Sequence, residues 1–566
     1  MEKKIKIGQE LPEDVKKELS QYPEFLGKLL FYRDIKTQKE AEIFLNPNYE
    51  KGLFDPFLIK GMDVAVERIL KAINLGEKIL IFSDYDADGI PGAVILNDFL
   101  KKIGFFNFEV HIPNRLKTGY GFKKEILEAY KDSIQLIITI DSGITDVEAV
   151  EEANRLGMEV IITDHHQVNG KLPPALAILN SKQSDDNYPD DMLCGAGVVF
   201  KLISALISKG NFNLVEGWEK WLLDMVALAT IADMVPLKNE NRILALFGLK
   251  VMRKSRRFGL QKLLKKAWIK PEQLVDEDIS FVLAPRINAA SRISDPRIAF
   301  DLLATEDEVE AGRLADELDK LNNKRKTLVA TAVREAKRKI LKRDLKDVVV
   351  IGNPDWNVGI SGLIASSLEG DYSRPVFVWG TDEDGKYCGS CRAKNLDLIE
   401  LMNTVEKEVF THIGGHKMAA GFGVADEQIY FLEEKLLQAF EKIKDKKIEE
   451  EIFVDKNMVL DEVNLDNFKL IEKLAPFGIG NSKPLFLFEN VEIMDMRIFG
   501  KTNNHLELVF KNSKGGRIKA IQFFSEFVKE LECSLKLGQK INFLAHIEKD
   551  NFSRNKELRL RIISIL

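Results

Sequence analysis

Acidic and imidazole side chains stand soon after three short apolar runs of the sequence. The runs are KILIF (78–82), LIITI (136–140) and EVIIT (159–163), and their length and composition are typical of buried strands. The residues that follow them are Asp84, Asp86 and Asp88, then Asp141, and then Asp164, His165 and His166. Because the carboxyl ends of parallel strands share one edge of a sheet, we expect these side chains to converge there.

This set of side chains favours divalent cations bound mainly through oxygen. Carboxylates in excess over imidazoles, without a thiolate, suit Mn²⁺ or Mg²⁺ better than Zn²⁺. Asp233 adds a carboxylate at the end of an apolar segment, where an unpaired charge is costly. So many ligands predict two ions about 3.5–4 Å apart, joined by a bridging carboxylate. Taken singly, each acid is more often a helix cap or a turn residue, and Asp88 before Gly89 is the clearest such case.

The elements that would position these residues fall into five stretches. Residues 1–75 are predicted to be mostly helical, and residues 76–304 alternate strand and helix, which predicts an α/β domain with a parallel sheet. Residues 305–346 read as a long polar connecting helix. Residues 347–447 predict a smaller α/β domain that includes a Gly-rich turn, HIGGHKMAAGFG. Residues 448–566 change to five short strands of alternating pattern, which predicts a small OB-like β-barrel.

The charge of the chain is informative only locally. The net charge of −6 gives no support to nucleic-acid binding. However, residues 320–346 hold eleven Lys and Arg against two acids, and residues 251–270 hold eight and no acid. We interpret both runs as candidate contacts to phosphate, with a solvated basic face as the alternative.

The remaining composition excludes several classes of protein. The sequence has no apolar run of about 18 residues and begins with a charged segment, which argues against a membrane span and a secretory signal. Four cysteines cannot build a disulfide framework, so we expect a reducing, cytoplasmic location. Cys388 and Cys391 form one C-x-x-C pair, but no second pair completes a zinc site.

The order of the motifs resembles that of the DHH phosphoesterase superfamily. Its first motifs match DYDADG, TIDSG, TDHH and ATIADMVP. Further segments resemble the bacterial members that digest single-stranded DNA from the 5′ end, and these are HIPNRLKTGYG, LCGAGVVFKL, APRINAASR, GSCR, GGHKMAAGF and LAPFGIGN. The resemblance implies a parallel-sheet DHH domain, a long helical connector, a smaller α/β substrate-binding domain of the DHHA1 type and a C-terminal OB-like DNA-binding barrel.

The resemblance also implies roles for individual residues. The implied metal ligands are Asp84, Asp86, Asp141, His165 and Asp233, with Asp141 bridging two ions. His166 would lie beside the scissile phosphate, and Asp164 would orient the histidines. The residues implied to bind substrate are Arg115, Arg286, Asn288, Ser390, Arg392 and His416.

Four positions depart from the pattern of the superfamily. They are Phe82, where many relatives have His, Ser142 in place of Asn, and Ser291 and Cys391, each in place of Gly. None of them removes an implied ligand, but the last two bear on the shape of the phosphate pocket.

The function implied is a single-strand-specific 5′→3′ exonuclease that releases 5′-mononucleotides with two Mn²⁺ or Mg²⁺ ions and acts in DNA repair and recombination. We expect single-stranded DNA as its substrate, single-strand-binding protein and other repair factors as partners, no membrane association and a monomeric state. A phosphoesterase for small substrates is one alternative, and it would need neither the barrel nor the basic connector. A non-catalytic DNA-binding replication factor is another, and the retained ligands argue against it.

Overall fold

The computed structural model describes residues 4–114, 121–168, 170–444, 451–500, 503–523, 535–550 and 557–566, so Arg115 lies outside the described residues. The chain divides into two compact units. The larger unit comprises Leu53–Val235 and Asn239–Glu449, and the smaller one comprises Met1–Gly52, Pro236–Lys238 and Glu450–Leu566. Among the described residues, no helix has the length and apolar character needed to cross a membrane.

The strands are numbered along the chain. They are β1 Lys4–Ile7, β2 Ile79–Ser83, β3 Phe108–His111, β4 Leu136–Ile140, β5 Glu159–Thr163, β6 Ala177–Leu179, β7 Val349–Asn357, β8 Val376–Thr381, β9 Tyr387–Arg392, β10 Phe410–His416, β11 Ala419–Val424, β12 Glu451–Val454, β13 Lys456–Asn457, β14 Phe486–Glu492, β15 Asp495–Phe499, β16 His505–Lys511, β17 Arg517–Gln522, β18 Lys540–Lys549 and β19 Leu558–Ile565.

The α-helices are numbered in the same way. They are α1 Glu13–Glu18, α2 Glu24–Phe31, α3 Gln38–Leu45, α4 Tyr49–Gly52, α5 Met62–Leu75, α6 Gly89–Lys102, α7 Lys124–Leu127, α8 Val147–Arg155, α9 Gly195–Lys209, α10 Leu223–Ala232, α11 Asn239–Met252, α12 Phe258–Lys266, α13 Asp276–Asp278, α14 Ala284–Ile293, α15 Arg297–Ala304, α16 Glu308–Ile340, α17 Ser361–Tyr372, α18 Leu398–Asn403, α19 Leu432–Ile443 and α20 Leu465–Glu472.

A parallel sheet with strand order β3-β2-β4-β5-β6 forms the centre of the larger unit. Every residue of β2 and β4 is buried, which explains why these strands are mostly apolar rather than alternating. The predicted parallel α/β fold is confirmed. Strands β4 and β5 occupy the predicted residues, β2 begins one residue later than predicted, and β3 and β6 extend the sheet at its two edges.

A second, mixed sheet lies in the same unit, with strand order β10-β11-β9-β8-β7. Strands β7 and β8 are parallel, and the other neighbours are antiparallel. The segment HIGGHKMAAGFG was predicted as a turn, but most of it belongs to the antiparallel hairpin β10–β11. Gly415 explains the difference, since its φ of +126° and the carbonyl of Ala419, 2.6 Å from where a Cβ would stand, require glycine within the strand.

The predicted connector is confirmed as helix α16. Its first turn is capped by Asp307, whose Oδ1 accepts hydrogen bonds from the backbone N–H groups of Val309 (2.7 Å) and Glu310 (2.8 Å). Buried alanines and leucines along one face pack it against α12, α14, α15 and α17. It is therefore a packed part of the larger unit over much of its length.

The smaller unit is built on a sheet with strand order β13-β14-β18-β19-β17-β16-β15, and β1 pairs in parallel with β12 beside it. The five predicted strands correspond to β14, β16, β17, β18 and β19. Most of its aromatic side chains fill the core, as the alternating pattern indicates. The ring of Phe543, for example, stacks between those of Phe488 (5.1 Å) and Phe510 (5.0 Å). Leu26, Leu29 and Leu30 of helix α2 belong to the same core.

Candidate metal centre

Seven side chains meet at the carboxyl-terminal edge of the parallel sheet, and we call them the acidic edge cluster. They are Asp84, Asp86, Asp88, Asp141, His165, His166 and Asp233. Their potential ligand atoms form three overlapping groups, each within 4.8 Å. Asp141 belongs to two of the groups, one with Asp84 and Asp86 and one with the two histidines. The convergence expected from the sequence is therefore found in the fold.

His165 lies at the centre of the cluster. Its Nε2 is 3.2 Å from Asp141 Oδ1, 3.5 Å from Asp88 Oδ2 and 3.6 Å from Asp233 Oδ2. Burial and the neighbouring charge of His166 lower the pKa of His165 to about 3. The ring is thus neutral near pH 7, which is the form that coordinates a metal.

Asp141 is held in a conformation that few residues adopt. Its φ of +57° is in the left-handed region, where Asp is tolerated better than most side chains. The carboxylate is almost fully buried, and its Oδ1 accepts no hydrogen bond from any described residue. Gly195 allows this approach, because a Cβ there would lie 2.6 Å from the Cβ of Asp141. A buried carboxylate oxygen without a donor is suited to a cation.

The acids of the cluster repel one another. Burial and the charges of Asp88, Asp86 and Asp84 raise the pKa of Asp141 well above its usual range. Burial, with the charges of neighbouring acids, also raises the pKa of Asp88 to about 6 and that of Asp233 to about 8. A divalent cation would reverse these shifts, since it favours the ionised carboxylates. The oxygen-rich donor set and these shifts fit Mn²⁺ or Mg²⁺.

His166 differs from its neighbour because Asp164 holds it. Asp164 Oδ1 lies 2.8 Å from the ring Nδ1 of His166 and accepts the backbone N–H of both histidines. Its Oδ2 accepts the N–H of Ile144 at 3.0 Å. Burial alone would lower the pKa of His166, but its hydrogen bond with Asp164 and the charge of that carboxylate outweigh burial and raise the pKa to about 9. Near neutral pH, the ring of His165 is therefore neutral and that of His166 is protonated.

Three residues at this edge make hydrogen bonds that were not predicted from the sequence. Asp88, considered a cap of its own helix, accepts hydrogen bonds from Gly195 N (2.7 Å) and Ala196 N (2.8 Å) at the start of α9. Asn180 Nδ2 donates to the carbonyl of His166 (2.9 Å), and Lys182 Nζ donates to that of His165. Asn180 and Lys182 follow β6, and recognition of that short strand would have placed them at the same edge.

Two of the departures from the family pattern concern this domain. Phe82 is completely buried and stacks on His111, with ring centres 5.5 Å apart and planes at 11°. It contributes to the apolar layer beneath the cluster and offers no ligand. Ser142 turns its hydroxyl to the carbonyl of Ile140 at 3.2 Å.

Two of the residues implied to bind substrate, Ser390 and Arg392, lie beside the segment Val358–Gly362. The Ser361 hydroxyl donates to Ser390 Oγ at 2.9 Å, and a Cβ on Gly362 would lie 2.7 Å from Arg392 Nη2. His416 pairs with Ala419 across the hairpin, and Ala419 pairs with Arg392 on β9, so these positions lie on three adjacent strands.

Helix α14 approaches the same segment, since Arg292 Nη1 donates to the carbonyl of Gly359 at 3.1 Å. This helix carries Arg286 and Asn288. Arg286 forms an ion pair with Asp319 at 3.0 Å. Ser291, one of the departures, is buried in α14 and donates to the carbonyl of Asn288 at 3.2 Å.

Cys391 points away from the neighbouring polar residues of β9. It is buried among apolar side chains of the second sheet, with Sγ 3.5 Å from the carbonyl of Ala420. Residues three apart in a strand point to opposite faces, so Cys388 cannot join it in a metal site or disulfide without rearrangement of β9. The substitution of Gly by Cys is thus accommodated in the core.

Several Lys and Arg side chains of the two basic runs form ion pairs with acidic side chains of the protein. Lys262 and Lys266 of α12 pair with Glu308 and Asp316 of α16, each at 2.5 Å. Arg257 is buried between Asp224 and Asp98. Arg343 and Lys346 both lie 3.0 Å from Glu433. Several of these charges therefore stabilise the packing of helices, and the net charge of a run overstates what is available to a ligand.

The fold and the acidic edge cluster define a phosphoesterase of the DHH class. Residues 78–230 match the DHH family, N-terminal domain, and residues 344–446 match the DHHA1 domain. Residues 454–564 match the RecJ OB domain.

Comparison with similar proteins identifies the family within this class. The single-stranded-DNA-specific exonuclease RecJ of Haemophilus influenzae is 31% identical over 99% of this chain and 98% of its own length. That of Bacillus subtilis is 34% identical over 95% of this chain and 67% of its own length. The crystal structure of RecJ with Mn²⁺ from Thermus thermophilus shares the fold, with a TM-score of 0.82 at 24% identity over 100% of this chain and 79% of that one. This chain belongs to the RecJ family.

Proposed function

We propose that this protein is a metal-dependent exonuclease that hydrolyses single-stranded DNA from its 5′ end and acts in DNA repair and recombination. The observation that carries the proposal is the acidic edge cluster, in which Asp141 is shared between two groups of potential ligands. Its relatives over nearly the whole chain are named single-stranded-DNA-specific exonucleases. A non-catalytic DNA-binding protein would gain nothing from buried carboxylates that repel one another.

The residues proposed to hold two Mn²⁺ or Mg²⁺ ions are Asp84, Asp86, Asp141, His165 and Asp233, with Asp141 bridging. Asp88 is placed beside them, although the amides of α9 already occupy both of its oxygens. When bound, such ions neutralise charge on the scissile phosphate and lower the pKa of the attacking water.

His166 is proposed as the residue that supplies a proton or a positive charge at the phosphate. Asp164 fixes the ring through Nδ1, which leaves Nε2 to face the substrate, and the raised pKa keeps the ring protonated near neutral pH. In the hydrolysis the water oxygen bonds to phosphorus, the P–O3′ bond breaks, and the departing 3′ oxygen takes up a proton. A 5′-mononucleotide leaves, and the shortened strand again begins with a 5′-phosphate.

The regenerated 5′-phosphate explains why the protein would need a fixed anion pocket. We assign this pocket to Ser390 and Arg392 of β9, with His416 on the neighbouring hairpin and with Arg286 and Asn288 on α14. A terminal phosphate carries more negative charge than an internal diester, so paired Arg and hydroxyl groups favour an end. Arg115 lies outside the described residues and stays a prediction from the motif.

We propose the following division of the chain: an N-terminal segment at 1–75, a catalytic domain at 76–304, a connecting helix at 305–346, a substrate-binding domain at 347–447 and a DNA-binding barrel at 448–566. We further propose a monomeric state, a cytoplasmic location and association with single-strand-binding protein and other repair factors. Light scattering of the purified protein, alone and with single-strand-binding protein, tests the monomeric state and that association.

The function is tested by digestion of oligonucleotides labelled at either end, with and without Mn²⁺. We expect metal-dependent release of labelled mononucleotide from the 5′-labelled single strand at once, and progressive shortening of the 3′-labelled one. A matched duplex is the control and should resist digestion. Hydrolysis of dinucleotides alone would instead identify a small-substrate phosphoesterase. Binding without hydrolysis would identify a non-catalytic factor.

A further inference from the structure

Helix α16 carries polar side chains with hydrogen-bonding groups that have no partner among the described residues. Asn322 is completely buried, and neither its amide oxygen nor its amide nitrogen has a hydrogen-bond partner among the described residues. Arg325 and Lys326 follow at i+3 and i+4, so the three residues share one face of the helix. The Nε of Arg325 is also buried and without a partner in the described part of the chain. Unsatisfied groups of this kind are rare in folded proteins and require an explanation.

Arg286 on the neighbouring helix α14 adds another positive charge. Burial and the charge of Arg286 lower the pKa of Arg325, and burial with the charges of Arg286 and Arg325 lowers that of Lys326. The carboxylate beside them is Asp319, which pairs with Arg286 at 3.0 Å. Among the described residues, these three cations thus have one neighbouring carboxylate, that of Asp319, and the cluster has an excess of positive charge.

A solvated basic face does not explain this arrangement. Elsewhere on the same stretch, Lys337 pairs with Asp371 and Lys339 with Glu335, each at 2.9 Å. Arg338 is exposed to water, where an unpaired charge costs little. Arg325, in contrast, is partly buried, and its Nε has no acceptor among the described residues. A partly desolvated guanidinium gains most from an anion with two oxygens in one plane.

We propose that Arg325 and Lys326 of α16 form a binding subsite for a backbone phosphate of the single strand, next to Arg286 of the proposed 5′-phosphate pocket. The guanidinium of Arg325 would hold two phosphate oxygens, and Lys326 would add charge from the helix surface. The proposal rests on the proposed function, because it assigns to DNA the anion that the cluster lacks. It assigns DNA contact to this turn of the helix rather than to the whole basic run.

The variant Arg325→Gln tests the subsite, and Arg338→Gln is its matched control. Both remove one charge from the same helix, and they are separated by about 20 Å along its axis at 1.5 Å per residue. Affinity for a fluorescent single strand is measured without divalent ions over a range of salt concentrations. We expect Arg325→Gln to lose about tenfold in affinity, and its slope of log K against log salt to fall by about 0.7. Arg338→Gln should change affinity less than about twofold, and Arg325→Lys should keep part of the slope.

Oligonucleotides with one neutral methylphosphonate at successive positions give a second readout that a purely structural role would not move. With the unmodified protein, one position should weaken binding about tenfold, and with Arg325→Gln that position should have no effect. Unchanged affinity and slope in Arg325→Gln, or the same position-dependent loss in both proteins, would overturn the subsite and leave the nuclease proposal standing. Failure of the unmodified protein to bind single strands would overturn both.

Discussion

Asp141 is the residue on which both groups of potential ligands depend. The change Asp141→Asn keeps the shape of the side chain and removes its charge, so both proposed ions lose a ligand. We expect the hydrolysis rate to fall at least about a thousandfold, equivalent to about 4 kcal/mol. Binding of single strands without metal should stay within about twofold. The melting temperature of the metal-free protein should not fall, because burial and the neighbouring acids disfavour the ionised form of Asp141 and raise its pKa. Cleavage assays, anisotropy and thermal unfolding measure the three quantities.

Asp88→Asn is the matched contrast for that variant. It makes the same chemical change, but the two oxygens of Asp88 each accept one backbone N–H, from Gly195 and from Ala196. In the variant, one of these oxygens is replaced by an NH₂ group, which cannot accept a hydrogen bond. We therefore expect a loss of stability of about 1–3 kcal/mol. Near-normal hydrolysis by Asp141→Asn would contradict its bridging role, whatever happens at Asp88.

A change at Arg392 tests whether this residue recognises the 5′ end of a strand or any phosphate. If it contacts the terminal 5′-phosphate, Arg392→Ala should slow digestion of 5′-phosphorylated strands about ten- to a hundredfold more than that of 5′-hydroxyl strands, corresponding to about 1.5–3 kcal/mol for a charge-assisted contact. The measurement is the ratio of kcat/KM for the two substrates. Arg374→Ala is a suitable control, since Arg374 pairs with the exposed Asp347 in the same domain. Equal slowing on both substrates would assign Arg392 to another phosphate.

At the scale of elements, edge strand β6 fixes the loop that carries the two histidines. Asn180 follows β6 and donates to the carbonyl of His166, and its Oδ1 accepts the N–H of Lys182 at 2.9 Å. We expect Asn180→Ala to lower kcat about tenfold with little change in KM, since small displacements of catalytic groups are costly. Asn154→Ala is the control, because Asn154 makes a similar bond to the carbonyl of Pro174 on the surface of the same domain. A normal kcat in Asn180→Ala would show that the loop holds its position without this bond.

The elements also show what could be predicted from the sequence. Strands β4 and β5 were predictable because nearly every residue between two turn signals is apolar or β-branched, and their shared edge followed from parallel pairing. Strand β6 has three residues and no such signal. The hydrogen bond from the N–H of Gly195 to Asp88 joins residues that are 107 positions apart, so no local sequence pattern could predict it. The carboxylates that pair with Lys262 and Lys266 belong to another helix, so charge counts along the chain could not reveal them.

At the scale of the whole molecule, the acidic edge cluster links stability to pH and to metal. The folded-state pKa values of Asp88 and Asp233, about 6 and about 8, exceed the unfolded value of about 3.9. The folded protein therefore binds these protons more tightly, and their contribution to stability is complete below about pH 4 and is lost as the pH rises through 6 and then 8. We expect the melting temperature of the metal-free protein to fall between pH 5.5 and pH 8.5.

Added Mn²⁺ should oppose that loss. At a hundredfold excess over its Kd, binding stabilises the folded state by about 2.7 kcal/mol, and more at high pH, where the carboxylates bind without losing protons. Thermal unfolding in EDTA and in Mn²⁺ at pH 5.5, 7 and 8.5 measures the difference, with Asp141→Asn as the control in which it should shrink. A metal-induced rise that is the same at all three pH values would contradict the linkage.

The pairing of β1 with β12 has a consequence for synthesis of the chain. The leucines of α2 and the strand Lys4–Ile7 are synthesised long before their partners, which lie beyond residue 450. At about 5–20 residues per second, roughly 20–90 s separate the synthesis of the paired strands β1 and β12. During that interval the intervening unit can fold, while the first fifty residues keep apolar surface exposed to water. Residues 4–52 are therefore open to chaperone binding and to proteolysis until their partner strands have been made.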